Sequence, residues 1–100
     1  MFGLISMVTA VPGKRHDLAQ ILARGSGDMP GCNSYTVAAD MTDADTLWVT
    51  EIWDSEARHR DSLSLPSVQE AITQGRDLIV AMERIATTAP ITEGDTFTQT

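Results

Sequence analysis

Thr46-Leu47-Trp48-Val49-Thr50-Glu51-Ile52-Trp53 is the stretch whose reading decides the fold. β-Branched and aromatic side chains fill it, and such side chains pack well on a pleated, half-buried surface. It therefore reads as a strand. Trp48 and Trp53 fall on opposite parities, so one faces each side of the sheet. Upstream, the polar run Asp40 to Asp45 separates this strand from a second one, Cys32 to Ala39 (CNSYTVAA), and the pair reads as a hairpin.

Working outward, Phe2 to Val11 (FGLISMVTAV) is apolar or β-branched almost throughout, as in a strand buried on both faces, and Pro12-Gly13 ends it. Leu18, Ile21 and Leu22 then take the spacing of one helical face. Gly25, Gly27 and Pro30-Gly31 close that helix. After the hairpin, Asp54 or Ser55 is placed to cap a second helix, with Glu56 in its first turn. Leu65-Pro66 interrupts it, and Ser67-Val68-Gln69-Glu70 reads as a capping box that restarts it. Val68, Ala71 and Ile72 form its apolar stripe and Gly75 closes it. Met82 to Ala89 alternates as a fourth strand and Pro90 stops it. The polar segment 92–100 reads as a tail, either frayed or docked on a partner, beyond a domain spanning 1–91.

The order β-α-β-β-α-β is the split βαβ unit. The expected class is α+β: a ferredoxin-like four-stranded antiparallel sheet with both helices on one face. Met7, Thr9, Trp48, Thr50, Ile52, Ile85 and Thr87 are assigned to the other face, which is too apolar for open water. The sequence therefore predicts a two-fold homodimer packed sheet to sheet.

Composition narrows the partners. Seven Lys and Arg stand against 14 Asp and Glu, for a net charge of −7 on 100 residues. That balance argues against nucleic acid and anionic membrane surfaces. The one Cys, Cys32, has no internal disulfide partner, and with two His it cannot build a tetrahedral metal set. The N-terminus has no signal-peptide pattern, which makes a cytoplasmic location the expectation. No glycine-rich phosphate-binding pattern occurs, so no nucleotide cofactor is implied.

Three short motifs in order and at matching spacing, Val11-Pro12-Gly13-Lys14, Pro30-Gly31-Cys32-Asn33-Ser34-Tyr35 and Glu51-Ile52-Trp53-Asp54-Ser55-Glu56-Ala57, resemble the antibiotic-biosynthesis monooxygenase (ABM) domain. This family takes in quinol monooxygenases and belongs to the dimeric α+β barrels. The resemblance spans roughly residues 2–91. It implies a small, cofactor-free oxygenase acting on quinols, polyphenols or polyketide-type aromatic rings, with a cavity between the sheet and the helices of each subunit. The sequence also departs from the family. The His that many members carry nine residues after the Trp ending the third strand is Ser62 here, and a second common His is Ser67. Positions matching the Asn, Trp and His of the haem-degrading branch are Ser6, Ser62 and Ile72, which argues against haem breakdown.

Against that background, His59 is the candidate catalytic base. It shares a helical face with Ser62, and an imidazole suits proton abstraction from a phenol. The competing reading is an exposed helix residue between Arg58 and Arg60. Ser6, Asn33, Tyr35, Trp53 and Ser62 are the candidate substrate-binding residues. Tyr35 and Asn33 share a parity, with donors suited to a quinone or phenolate oxygen. Trp53 offers an apolar wall, or is simply core. Glu51, at the parity of Trp53, needs a partner, and Arg84 is the expected one. A different class of function, a non-catalytic dimeric module binding a hydrophobic small molecule, is favoured by the missing His at 62. An isomerase or decarboxylase of another ring substrate is a third possibility, because one fold hosts many chemistries.

Overall fold

A computed structural model describes residues 1–91; the tail expected over 92–100 lies outside the described residues. The elements are β1 (Phe2–Ala10), α1 (Arg15–Gly25), β2 (Cys32–Ala39), β3 (Thr46–Trp53), α2 (Glu56–Ser62), α3 (Pro66–Gly75), a 3₁₀ turn (Arg76–Leu78) and β4 (Ile79–Thr88). The strands form one antiparallel sheet in the order β2-β3-β1-β4. The helices lie on one face of it, and this is the ferredoxin-like α+β fold read from the sequence.

Local chemistry explains the boundaries. The Ser55 hydroxyl accepts from the Arg58 N–H and starts α2. α3 begins differently from the sequence expectation. Leu65 is its N-cap and Pro66 sits at its first position, where the missing N–H costs nothing, so Ser67 does not cap it. β4 starts at Ile79, three residues before the expected Met82. The apolar residues from Ile79 to Met82 already belong to the sheet.

Register decides which side chains face the helices. Phe2, Leu4, Ser6 and Val8 of β1 pair with Trp53, Glu51, Val49 and Leu47 of β3, and together these form the inner face. Three slips alter the simple alternation, two in β4 and one in β2; one of those in β4 makes Val80 the extra residue, between Ala81 opposite Thr9 and Ile79 opposite Ala10. The other in β4 falls between Ala86 and Arg84, so Ile85 is the extra residue. The slip turns Thr87 inward opposite Leu4, while Arg84, inward by alternation from Met82, stands opposite Ser6. Thr87 therefore does not share the outer face with Met7 and Trp48, as strict alternation predicts. In β2 the slip lies between Cys32 and Ser34 and makes Asn33 the extra residue.

The inner face is filled at one end only. Val8, Ala10, Leu18, Leu47 and Val49 form the buried cluster, with Leu22, Tyr35, Val37 and Ile79 packed on it. Leu18 of α1 is wholly shielded from solvent. At the opposite end stand Leu4, Ser6, Glu51 and Trp53. α3 packs on α1 and not on the sheet. Two glycines set that seam. A Cβ on Gly25 would lie 2.5 Å from the Ala71 Cβ, and one on Gly75 would lie 3.3 Å from Leu18 Cδ1. The sequence marks both glycines as helix ends; the structure shows that they also let the two helices touch.

A polar cluster ties α1 to the hairpin. The Arg15 guanidinium donates to the Asp40 and Asp43 carbonyls at 3.1 and 2.8 Å. The Asp40 carboxylate accepts from the Trp48 indole N–H at 2.8 Å, and from the Thr42 and Asp43 backbone N–H groups at 2.8 Å each. These donors, the indole first, hold the Asp40 carboxyl below the usual carboxylate range.

Two measurements check this account. Because the folded state favours ionised Asp40, its contribution is present above the unfolded carboxyl value of about 4 and fades as pH falls below it. Asp40→Asn is therefore expected to lower stability at neutral pH, with the gap to wild type narrowing as denaturant titrations move from neutral pH to well below about pH 4. Equal gaps at both ends would disprove it. Gly25→Val is expected to cost about 1–3 kcal/mol by overpacking the helix seam. The penalty should shrink when Ala71→Gly opens space opposite.

Candidate active site

The unfilled end of the inner face is a cavity of about 520 Å³. Leu4, Ser6, Tyr35, Glu51, Trp53, Met82 and Arg84 of the sheet line its floor. Leu22, His59, Ser62, Val68, Ala71 and Ile72 line it from the helices. It opens where Leu63, Ile72 and Met82, which are 45%, 43% and 62% exposed, reach the surface. A largely apolar recess with a few convergent polar groups is the usual form of a small-molecule site.

The polar groups converge on Glu51. Its Oε1 lies 3.9 Å from His59 Nε2 and accepts the Trp53 indole N–H at 3.1 Å. The His59 and Glu51 side chains are only 16% and 12% exposed. The imidazole stands edge-on to the Trp53 ring with centroids 5.4 Å apart, and tilts against Phe2 at 6.0 Å. The capped start of α2, directly after β3, produces this meeting: one helical turn returns His59 over the strand end that carries Glu51 and Trp53. His59 thus lines the cavity and is not an outward helix residue.

Sequence reading placed Glu51 against Arg84. The two are not paired, because β1 lies between their strands and Arg84 stands opposite Ser6. Glu51 has the Trp53 indole and His59 instead. The signal for this was present in the sequence as a Glu and a Trp two residues apart on one strand face, followed at once by a capped turn bearing His.

The other expected residues divide. Ser6, Tyr35, Trp53 and Ser62 all line the cavity. Trp53 is also core, at 1% exposure. Burial, then the Glu51 carboxylate and the Cys32 thiol, push the Tyr35 phenol well above the ordinary tyrosine value. It therefore stays a neutral hydroxyl at working pH. The Ser62 hydroxyl donates to the His59 carbonyl at 2.6 Å, so it faces the cavity as an acceptor and not as the expected donor. Asn33 is outside the cavity: it is exposed and its amide donates to Asp54 Oδ1 at 2.9 Å. The β2 bulge removes it from the Tyr35 parity and puts Cys32 opposite Trp53 in its place. Burial and then Glu51 raise the Cys32 thiol, which disfavours a thiolate nucleophile there.

Among the described residues, no group of three His, Cys, Asp or Glu is gathered as a metal site, and no helix is long and apolar enough to cross a membrane. Chemically, the arrangement offers an imidazole backed by a carboxylate, a neutral phenol donor and an apolar wall.

Comparison with known proteins places the chain in a family. No curated protein matches the chain in sequence. Among solved structures, a Chloroflexus aurantiacus protein named for antibiotic biosynthesis monooxygenases is 49% identical over 94% of this chain and 96% of its own, with a TM-score of 0.88. A Deinococcus radiodurans protein with the same family name is 20% identical over 98% and 100% of the two chains, with a TM-score of 0.77. SnoaB, a cofactor-independent oxygenase from Streptomyces nogalater, is 18% identical over 94% and 97%, with a TM-score of 0.76. These last two likenesses, at such low identity, show the shared fold. Residues 1–74 match the family described as antibiotic biosynthesis monooxygenase. With that match over most of its length, and the close likeness to the Chloroflexus protein, the chain belongs to the antibiotic biosynthesis monooxygenase family.

Proposed function

We propose that the cavity is the active site of a cofactor-independent monooxygenase that oxidises a small phenolic ring, a quinol, polyphenol or polyketide-type aromatic, with dioxygen. The observation that carries this reading is the His59 imidazole, 3.9 Å from the Glu51 carboxylate, facing an apolar recess. Membership of the family and the fold shared with SnoaB, itself an oxygenase without cofactor, support it.

In this mechanism His59 removes a proton from the bound phenol, and Glu51 orients the imidazole and stabilises its cationic form. The resulting anion is electron-rich and transfers one electron to dioxygen, giving superoxide and a substrate radical. These recombine at ring carbon as a peroxide, which takes its proton from the imidazolium. Loss of water from the peroxidised carbon leaves a carbonyl. The ring C–H, the phenolic O–H and O₂ thus become two carbonyl groups and H₂O, with the substrate as the sole reductant. Tyr35 donates to the developing oxyanion, and the apolar walls keep water from competing. Positioning within the recess supplies the rest of the rate.

The outer sheet face completes the reading. Ile5, Met7, Trp48 and Ile52 lie there only half-buried in the single chain. Packing that face against a second copy would bury it, giving a two-fold homodimer with the two cavities facing away from the interface.

One observation favours a second reading, in which the cavity binds a hydrophobic small molecule without turnover. Ser62 stands where many relatives carry His, and its proton is spent on the His59 carbonyl.

Oxygen uptake with a hydroquinone and anthrone panel separates the two. His59→Ala is expected to lower turnover by about 10²-fold or more. Glu51→Gln should lower kcat with a smaller change in KM, since it acts through His59. Ligand binding without any oxygen uptake by the wild type would establish the binding module instead. For the assembly, sedimentation should report twice the 10.8 kDa chain mass. Ile52→Lys on the outer face should shift it to the single chain, and a wild-type monomer at micromolar concentration would refute the dimer.

A further inference from the structure

The cavity lining carries two cations that the proposed oxidation does not use. Arg84 enters from the floor, inward-facing opposite Ser6 and two residues from inward-facing Met82. Arg76 enters from the roof, at the first residue of the 3₁₀ turn that follows α3. Neither forms an ion pair among the described residues, whereas Lys14, His59 and Arg60 each face a carboxylate. Both arginines are exposed at the cavity edge, so they lose little hydration while it is empty.

From this placement we infer that the cavity selects an aromatic substrate carrying a permanent carboxylate, held by Arg76 and Arg84 while its phenolic end meets His59. The inference rests on the oxygenase reading only for the chemistry at the phenolic end. Guanidinium forks match a planar carboxylate with paired hydrogen bonds, and hydrogen bonds of this kind are about twice as strong as neutral ones. Two observations bear against an anion here, and magnitudes dispose of both. The chain's net charge of −7 repels anions at long range, but screening over about 8 Å at physiological salt leaves local contacts in control. Glu51 is anionic too, yet it stands two strands and one pleat from Arg84, about 12 Å between Cα atoms, and has His59 and the Trp53 N–H beside it. Glu51 and Arg84 thus stand apart on the cavity floor, so the lining presents an anionic group and cationic groups at different points. A ring bearing a hydroxyl at one edge and a carboxylate at the other can enter in one orientation only.

Anaerobic calorimetry with gentisate, a quinol carboxylate, and with its methyl ester tests the inference without turnover. Gentisate is expected to bind about tenfold tighter than the ester, the effect of one charged hydrogen-bonding contact. Arg84→Gln and Arg76→Gln should each erode that ratio, and the double variant should bring it near unity without weakening the ester. Both side chains are exposed, so the melting temperature should hold; should one variant fail to fold, the other carries the test. Equal affinities for acid and ester, binding of neither, or a preference that survives the double substitution would overturn the inference. A preference lost with the arginines, in a protein that consumes no oxygen, would uphold the anion site and sink the oxygenase. Oxygen uptake with neutral quinols and no preference for the acid would do the reverse.

Discussion

The close approach of α1 and α3 is the constraint on which the rest of the molecule depends. Gly25 lets the end of α1 touch Ala71, and Gly75 lets the end of α3 rest on Leu18. Pulled sideways onto its neighbour, α3 does not come down on the sheet. Leu18 is then spent on Val8, Leu47 and Val49, and the recess lies beyond it, along Leu4 and Ser6. A chain of 100 residues has little apolar surface to spare, and here the core is concentrated under α1 while the opposite end of the sheet stays open. The cavity is thus a product of helix packing. Bulky residues at 25 or 75 would separate the helices and change its shape before they touched any group inside it.

Backbone irregularity then selects what the cavity contains. Strict alternation puts Asn33 beside Tyr35 and sends Thr87 to the outer face. One extra residue in β2 and one in β4 reverse both assignments. The bulge at Ile85 leaves Arg84 on the inner face opposite Ser6 and adds Thr87 to that face opposite Leu4. A one-residue slip exchanges the two faces of a strand from that point on. These two bulges are therefore enough to change which polar residues face inward without moving a strand boundary.

This explains which parts were legible in the sequence. The boundaries of β2 and β3, the order of elements and the inward parity of Leu47, Val49 and Trp53 all followed from composition and period, because burial enforces them. The cap at Ser55 was legible too, and with it the return of His59 over the strand it had just left. The partner of Glu51 was not, since parity specifies a face without saying which residues meet across three strands. Nor did any local pattern announce the bulges: Asn33 and Ile85 have no glycine beside them in their strands, and their extra positions arise from how each strand meets its neighbour. The register of Arg84, and its place in the cavity lining, could be known only after the sheet was assembled.

The arrangement also accounts for the absence of His at position 62. A base on the first turn of α2 and a base two turns in would serve the same recess from different heights. With His59 set against Trp53 and Phe2, its ring has two aromatic neighbours and one carboxylate. That leaves it few orientations, and freedom lost before a ligand arrives need not be lost in the transition state. Ser62 contributes by tying its hydroxyl to the His59 carbonyl, which stiffens the turn that carries the imidazole. In the proposed mechanism the base thus stands one helical turn before position 62, and Ser62 supports the turn that carries it.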